Sequence, residues 1–313
     1  MTTEIIATSL QSGPAQSSPV QTGIWLPLIT PFRDGALDGG SLRRLFHHYL
    51  QQPIDGIILA GTTGEAMTLS DDEIDQMIEI GAAEVAGRLP LYLGLGGSDT
   101  RGQARHLAAL HGRAVDGYLI SCPAYTRPSQ DGLYHHFAAL AAETDRPILI
   151  YNIPYRTGVN MSNETLLRLA DLPTIRGIKD CCADPVQSAS LLRQRPEDFA
   201  VLTGEDAWYY TALMHGADGG ILASAHIRTA EFAAIRHAIQ TSDHRDALRR
   251  WDDLIGLVRL LFAEPNPAAI KHWLWRAGLI ASPELRLPMM PASTGLALRL
   301  DQLVAETGWR ASA

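Results

Sequence analysis

The stretch RPILIYN at residues 146–152 decides the fold, because its continuous apolar run is typical of a buried strand. The stretch ends with the polar side chains of Tyr151 and Asn152. A second run, IRGIKD at residues 175–180, ends in lysine and aspartate. Continuous rather than alternating apolar residues indicate strands buried on both faces, as in parallel sheets with helical crossovers. The two stretches therefore predict adjacent parallel strands whose ends carry polar side chains.

Six further runs of the same kind lie along the chain. They are GIWLPLIT from Gly23, IDGIILAG from Ile54, LPLYLGLG from Leu89, DGYLISC from Asp116, FAVLTGE from Phe199 and DGGILAS from Asp218. Helical patterns separate them, and one pattern opens with Ser70 and Glu73 at the spacing of a capping box. Eight strand–helix units in a row predict the α/β class, as a closed (β/α)8 TIM barrel.

The chain outside these units predicts two more regions. Residues 1–22 are rich in Ser, Gln, Pro and Thr, which is typical of a flexible N-terminal tail. From about residue 244 the chain becomes helical, with no ninth strand for these helices to cover. We therefore predict a barrel at residues 23–243 and a C-terminal helical domain at residues 244–313.

Composition restricts the partners and the compartment. Hydrophobic residues make up 46% and charged residues 19% of the 313 residues, as in a globular protein with a large core. The net charge of −8, without a basic cluster, argues against nucleic-acid and membrane partners, and no apolar run approaches the roughly 20 residues of a membrane span. Cys122, Cys181 and Cys182 lack CxxC spacing, and the N-terminus lacks a secretory signal, so we predict free thiols and a cytoplasmic location.

Polar side chains follow five of the predicted strands. Barrel enzymes take their catalytic groups from the C-terminal ends of strands and the loops after them. In chain order the candidates are Thr62 and Thr63, then Tyr125 and Arg127, Tyr151 and Arg156, Lys179, and the segment Thr203 to Asp206. These groups are predicted to share one mouth of the barrel.

Lys179 is the most informative of these residues. A lysine in a barrel mouth has a lowered pKa, and its free amine is a nucleophile for carbonyl carbon. The alternative is a lysine that turns out to solvent or pairs with Asp180. Tyr151 on the adjacent strand favours the first interpretation, because a Schiff-base lysine needs a proton shuttle.

Arg156 and the Thr62–Thr63 pair predict places for carboxylates. A guanidinium after the fifth strand would hold a substrate carboxylate with two parallel hydrogen bonds, unless it is only a solvated loop arginine. The two threonine hydroxyls lie between glycines that allow close approach of a small carboxylate. Taken alone, GTTGE at residues 61–65 could equally be a tight strand-to-helix turn.

The motifs GTTGE, YNIPYRTG at residues 151–158 and GIKD at residues 177–180 together resemble the dihydrodipicolinate synthase and N-acetylneuraminate lyase family. The resemblance extends from Leu26 to Ser293. It implies a barrel enzyme in which Lys179 forms an imine with pyruvate, without a cofactor or a metal ion. Tyr151 would then shuttle protons.

The resemblance also implies roles for the remaining site residues. Thr62 would link Tyr151 to Tyr125, and Tyr125 would enter the site of a neighbouring subunit, in a homotetramer built as a dimer of dimers. The other implied groups are Thr63 with its adjoining backbone for the carboxylate of pyruvate, Gly204 for substrate binding, and Ile221, whose carbonyl tunes the lysine.

Arg156 indicates the synthase branch of the family. That resemblance implies condensation of pyruvate with L-aspartate 4-semialdehyde to 4-hydroxy-tetrahydrodipicolinate, a lyase reaction of lysine and diaminopimelate biosynthesis. A pyruvate-imine lyase or dehydratase acting on a sugar-derived 2-keto acid is the alternative within imine chemistry. A barrel that binds a ligand without catalysis is the alternative outside it.

The resemblance also bears on regulation by lysine. Lysine-inhibited synthases build an interface pocket from His, Asn, Glu and Tyr side chains. This chain has Asp71, Ile74, Ser98, Gly102 and Ala124 at those positions. Without the carboxylate and amide that would hold a lysine ammonium, feedback inhibition is expected to be weak or absent.

Overall fold

The computed structural model describes residues 21–307, and nearly all of the predicted tail at residues 1–22 lies outside this range. Eight parallel strands close into a barrel. They are β1 Gly23–Pro27, β2 Gly56–Leu59, β3 Leu91–Leu95, β4 Gly117–Ser121, β5 Ile148–Asn152, β6 Ile175–Asp180, β7 Ala200–Thr203 and β8 Gly219–Ile221. Each strand lies inside one of the eight runs predicted from sequence, so the predicted TIM barrel is confirmed.

Helices alternate with the strands and cover the outside of the barrel. In chain order they are α1 Gly39–Tyr49, α2 Asp71–Val85, α3 Thr100–Ala109, α4 Gln130–Ala141, α5 Pro154–Thr157, α6 Asn163–Ala170, α7 Pro185–Gln194, α8 Tyr209–Met214, α9 Ala225–Gln240, α10 His244–Leu261, α11 Ala268–Arg276 and α12 Thr294–Thr307. The predicted capping box starts α2, where the Ser70 hydroxyl accepts the Glu73 N–H and the Glu73 carboxylate accepts the Ser70 N–H. None of the helices within residues 21–307 has the length and apolar character to cross a bilayer.

The strand order around the barrel is β1-β8-β7-β6-β5-β4-β3-β2. Inward-facing side chains form a core of their own, separate from the larger core between strands and helices. Its members are Trp25, Ile58, Tyr92, Leu119, Leu149, Tyr151, Ile153, Cys181, Leu202 and Ile221. The barrel is therefore packed along its axis, and substrates can reach it only at a mouth.

Carboxylates join neighbouring strands at the amino-terminal end of the barrel. In three cases an Asp–Gly pair opens a strand and the Asp side chain accepts a backbone N–H of the strand beside it. The bonds are Ile24 N–H to Asp55 at 2.7 Å, Leu91 N–H to Asp116 at 2.8 Å and Val201 N–H to Asp218 at 2.8 Å. This end of the barrel supports stability, and the opposite end is left for chemistry.

Helices α10 to α12 follow the eighth unit, and they tie back to the turn after β2. The buried Lys271 of α11 forms an ion pair with Glu65, and its Nζ also donates to the carbonyl of Glu284 at 2.7 Å. The N–H of Arg286 donates to the other Glu65 oxygen at 3.1 Å. The C-terminal helices thus hold one side of the barrel mouth, and their description as a separate domain stays a prediction.

Candidate active site

Lys179 and Tyr151 lie side by side at the C-terminal ends of β6 and β5. They are direct partners in the parallel register of these strands. Both side chains are buried, with 6% and 7% of their surface exposed, and Lys179 Nζ lies 4.3 Å from the centroid of the Tyr151 ring. The prediction that these two residues meet at one mouth therefore agrees with the geometry.

The amine of Lys179 is held in a setting that favours its neutral form. Burial lowers the pKa of Lys179, and the positive charge of Arg156 acts in the same direction, while Cys181, Asp206 and Glu205 oppose it. The Nζ of Lys179 forms no hydrogen bond or ion pair with another residue in the described part of the chain. A buried amine of this kind is available as a nucleophile.

Tyr151 carries a phenol that stays protonated at neutral pH. Burial raises its pKa well above the usual value, and the hydrogen-bonding hydroxyl of Thr62 acts in the opposite direction. Thr62 and Tyr151 line the same cavity of about 410 Å³, together with Arg156. Lys179 is not among the residues that line this cavity, but its Nζ contacts the ring of Tyr151, which is one of them.

Thr62 and Thr63 follow β2 in a tight turn. The segment GTTGE therefore has the strand-to-helix turn given above as its alternative interpretation. The N–H of Gly64 donates to the Gly61 carbonyl at 3.0 Å, and Glu65 has a left-handed φ of 54°. Neither Thr62 nor Thr63 uses its backbone N–H in a hydrogen bond within residues 21–307. The turn therefore presents two adjacent N–H donors, which suits an anion.

Thr63 differs from Thr62 in what its hydroxyl touches. It is only 3% exposed, and its Oγ1 accepts a hydrogen bond from Asn266 Nδ2 at 2.9 Å. Because the oxygen is the acceptor in this bond, the hydroxyl hydrogen is free to donate elsewhere. The side chain of Thr63 does not line the cavity, whereas Asn266 and Thr62 do.

Arg156 and Tyr125 occupy the rim. Arg156 lies on the short helix α5 and lines the cavity, with its guanidinium 5.7 Å from the centroid of the Tyr155 ring. Tyr125 is 93% exposed with a left-handed φ of 70°, and its N–H donates to the carbonyl of Thr157 at 3.1 Å. Within one chain Tyr125 does not reach the cavity, so the structure does not bring it together with Thr62.

Gly204 and Ile221 complete the predicted set around Lys179. A Cβ added at Gly204 would lie 2.4 Å from Lys179 Cε and 2.5 Å from Cys181 Sγ. Gly204 therefore leaves the space that the lysine side chain occupies. This role is additional to the substrate binding predicted for Gly204. Ile221, at the end of β8, is fully buried in the barrel interior with Tyr151 and Cys181.

Comparison with known proteins assigns the chain to a family. The family model described as "Dihydrodipicolinate synthetase family" matches residues 20–307. The chain belongs to this family. A 4-hydroxy-tetrahydrodipicolinate synthase 2 from Clostridium acetobutylicum is 42% identical over 282 residues, which cover 90% of this chain and 99% of the relative.

Solved structures of dihydrodipicolinate synthases are similar over nearly the whole chain. The enzyme from Aquifex aeolicus superposes with a TM-score of 0.89 at 31% identity, covering 94% of this chain and 100% of that one. The chloride-inhibited enzyme from Acinetobacter baumannii, complexed with pyruvate, has a TM-score of 0.87 at 33% identity and covers 92% and 99%. The family predicted from GTTGE, YNIPYRTG and GIKD is thereby confirmed.

Some features of this dihydrodipicolinate synthetase family member are not among those predicted from its sequence. The chain has 26 lysine and arginine residues, of which only Lys179 and Lys271 are lysines, and both are buried. Simple counting would have drawn attention to them. Asn266 lies 203 residues from Thr63, and no local pattern announces that contact.

The two adjacent cysteines of this family member face different surroundings. Both line a second cavity of about 330 Å³, but only Cys181 belongs to the packed barrel interior, whereas the Cys182 thiol lies 3.3 Å from Ser188 Oγ. Burial raises the pKa of both thiols, to about 11 for Cys182. Within the described residues no cluster of three His, Cys, Asp or Glu side chains has the arrangement of a metal site.

Proposed function

We propose that this protein condenses pyruvate with L-aspartate 4-semialdehyde to give 4-hydroxy-tetrahydrodipicolinate, a step toward diaminopimelate and lysine. The observation that carries the proposal is the buried amine of Lys179 beside the phenol of Tyr151 at the barrel mouth. The curated relatives with this activity in their names, and a similar structure that holds pyruvate, support the same reaction.

The reaction begins at Lys179. Its amine adds to the keto carbon of pyruvate, water leaves, and an imine forms. Loss of a proton from the methyl carbon gives an enamine, whose carbon attacks the aldehyde of the second substrate. The amino group of that substrate then displaces Lys179 as the ring closes. The imine serves as the electron sink, so this proposal requires no cofactor and no metal ion.

Each remaining residue of the site has a role in one step of the condensation. Tyr151 gives and takes the protons of carbinolamine formation and dehydration, because its neutral phenol lies against the lysine. Thr62 passes protons to a Tyr125 supplied by a second copy of the chain. The free N–H groups of Thr62 and Thr63, with the Thr63 hydroxyl, hold the carboxylate of pyruvate.

The assembly in this proposal is a homotetramer, arranged as a dimer of dimers. Tyr125 is 93% exposed in the single chain, and crossing into a neighbouring site would bury it. The three cysteines are free and buried, which fits a reducing compartment, and we place the enzyme in the cytoplasm.

The proposed activity is tested by supplying pyruvate with L-aspartate 4-semialdehyde and, separately, a panel of keto-deoxy sugar acids. Product from the semialdehyde is measured by coupled reduction. Turnover of a sugar acid without turnover of the semialdehyde would reject the synthase reaction in favour of the lyase or dehydratase alternative.

Arg156→Ala is expected to separate the two substrates. The guanidinium lies on the cavity wall and would bind the carboxylate of the semialdehyde through two hydrogen bonds. Its loss should lower kcat/KM for the semialdehyde by about 10²-fold or more, since charged hydrogen bonds are worth about 1.5–3 kcal/mol each. Borohydride trapping of pyruvate should persist, and its loss would contradict the assigned role.

L-Lysine at millimolar concentration is expected to leave activity nearly unchanged. At the family's inhibitor positions this chain offers Ser98, whose hydroxyl donates to the carbonyl of Ala124 at 2.6 Å, and Gly102, whose N–H donates to the carboxylate of Asp99 at 2.8 Å. These groups already have partners, and none of them replaces the missing amide and carboxylate. A dose–response curve with strong inhibition would contradict this expectation.

A further inference from the structure

Asn266 joins the C-terminal part of the chain to the turn that carries Thr62 and Thr63. It lies in the connection between α10 and α11, and its Nδ2 donates to Thr63 Oγ1 at 2.9 Å. Asn266 is 9% exposed and lines the active-site cavity, whereas Thr63 does not. The amide therefore contacts both the cavity and a side chain that is proposed to bind substrate.

This contact decides where the hydroxyl hydrogen of Thr63 can go. An amide nitrogen donates but does not accept, so the Thr63 oxygen is the acceptor and its own hydrogen is turned away from Asn266. Within residues 21–307 neither this hydroxyl nor the Thr63 N–H donates to another protein atom. Both donors of Thr63 are therefore left for a ligand.

The oxygen of the Asn266 amide is used differently from its nitrogen. Among the described residues this Oδ1 is buried and has no hydrogen-bond partner. An unpaired buried acceptor destabilises the folded state. Stability alone therefore explains the placement of this amide poorly, whereas orientation of the Thr63 hydroxyl explains it.

The backbone around Asn266 is held firmly in place. Prolines stand on both sides of it, and each proline ring fixes the φ angle of its own residue. Further along α11, Lys271 forms the buried ion pair with Glu65, which lies two residues after Thr63. Because the ion pair fastens the two segments together, the amide of Asn266 is left to set the direction of the Thr63 side chain.

We propose that Asn266 is a positioning residue for pyruvate, which turns the Thr63 hydroxyl so that its hydrogen points to the carboxylate of the keto acid. The inference rests on the proposed function and adds to it a residue from the C-terminal part of the chain. Two segments that lie 203 residues apart in the sequence thus build one carboxylate site.

Asn266→Ala is expected to raise the KM for pyruvate by about three- to tenfold, the effect of one hydrogen bond, and to leave kcat nearly unchanged. Without the amide the Thr63 hydroxyl can rotate, so its hydrogen bond to the carboxylate is weakened. A rise in KM without a change in kcat indicates lost ground-state binding. Steady-state rates at saturating L-aspartate 4-semialdehyde measure both constants, and KM does not depend on how much of the enzyme is folded.

Asn266→Asp keeps the shape of the side chain and reverses the hydrogen bond. At about pH 8, far above the ordinary pKa of aspartic acid of about 4, the carboxylate only accepts, so the Thr63 hydroxyl donates to it instead of to pyruvate. Its charge also repels the carboxylate of pyruvate, so the KM should rise about tenfold or more beyond that of Asn266→Ala. Because this variant has the size of the native residue, it tests the proposal even if the alanine variant does not fold.

A double variant separates this role from a general effect on the fold. Thr63→Val removes the hydroxyl through which the amide is proposed to act. In that background Asn266→Ala should change the KM for pyruvate no further.

Asn163→Ala is the matched control. Asn163 opens α6, its Nδ2 donates to the carbonyl of Gln187 at 2.9 Å, and among the described residues its Oδ1 is likewise buried without a partner. This amide does not line the active-site cavity, so its removal should leave the KM for pyruvate unchanged.

The inference would be overturned by an unchanged KM in Asn266→Ala, by an Asn266→Asp variant that binds pyruvate as well as Asn266→Ala, by additive losses in the double variant, or by an equal rise in KM in Asn163→Ala. In each of these cases trapping of pyruvate by the native enzyme would still support the proposed function. Absence of trapping in the native enzyme would overturn the proposed function, and this inference with it.

Discussion

Replacing Lys179 by alanine is expected to abolish covalent labelling by pyruvate under borohydride and to lower condensation activity by about 10⁴-fold or more. The amine is the group that bonds to the substrate, and no neighbouring side chain can take its place. A residue that acts as the nucleophile of a covalent mechanism gives losses of this order when removed.

Mass spectrometry gives an unusually clean reading of this experiment. The native chain should gain one reduced pyruvyl group, and the modified peptide should contain Lys179. The only other lysine is Lys271, which is buried in an ion pair with Glu65 and serves as the internal control. Retained labelling in Lys179→Ala, or labelling of Lys271 in the native enzyme, would disprove the assignment.

Lys271→Met is expected to lower the free energy of unfolding by about 3–5 kcal/mol, the largest stability effect that we expect. Removal of the ammonium leaves the carboxylate of Glu65 without its counter-ion, and only 2% of that side chain is exposed. The turn that carries Thr62 and Thr63 would then lose its link to α11. Urea denaturation followed by circular dichroism measures the change.

The partner variant makes this prediction sharper. Burial lowers the pKa of Lys271 to about 8 although Glu65 opposes the shift, so this lysine can give up its proton when its partner is removed. Glu65→Gln should therefore cost less than Lys271→Met, and the double variant should recover part of the loss. If the double variant lost more free energy of unfolding than the two single variants added together, the Lys271–Glu65 ion pair would not be the cause of the losses.

The barrel and the Lys179–Tyr151 pair could be predicted because both depend on short-range patterns. Buried parallel strands appear as continuous apolar runs, and the last residues of adjacent parallel strands must be neighbours. For Tyr151 and Lys179 this argument also gives the correct register. The sequence alone therefore places Tyr151 and Lys179 together at one end of the barrel.

The parts that could not be predicted depend on contacts between distant residues. Glu65 and Lys271 are separated by 206 residues, and nothing around either of them indicates the other. The inward position of Cys181 and the outward position of Cys182 depend on how far alternation continues past the end of β6. Neither apolar periodicity nor spacing determines that point.

The burial of both lysines has a practical consequence. Reagents that acylate side-chain amines find no lysine on the described surface of the folded protein, where arginine supplies the positive charge instead. Acylation of Lys271 would therefore report that the contacts between α11 and the turn after β2 have opened. The rate of acetylation of each lysine thus measures how often its surroundings open. Lys179 reports on the active site, and Lys271 reports on the packing of α11.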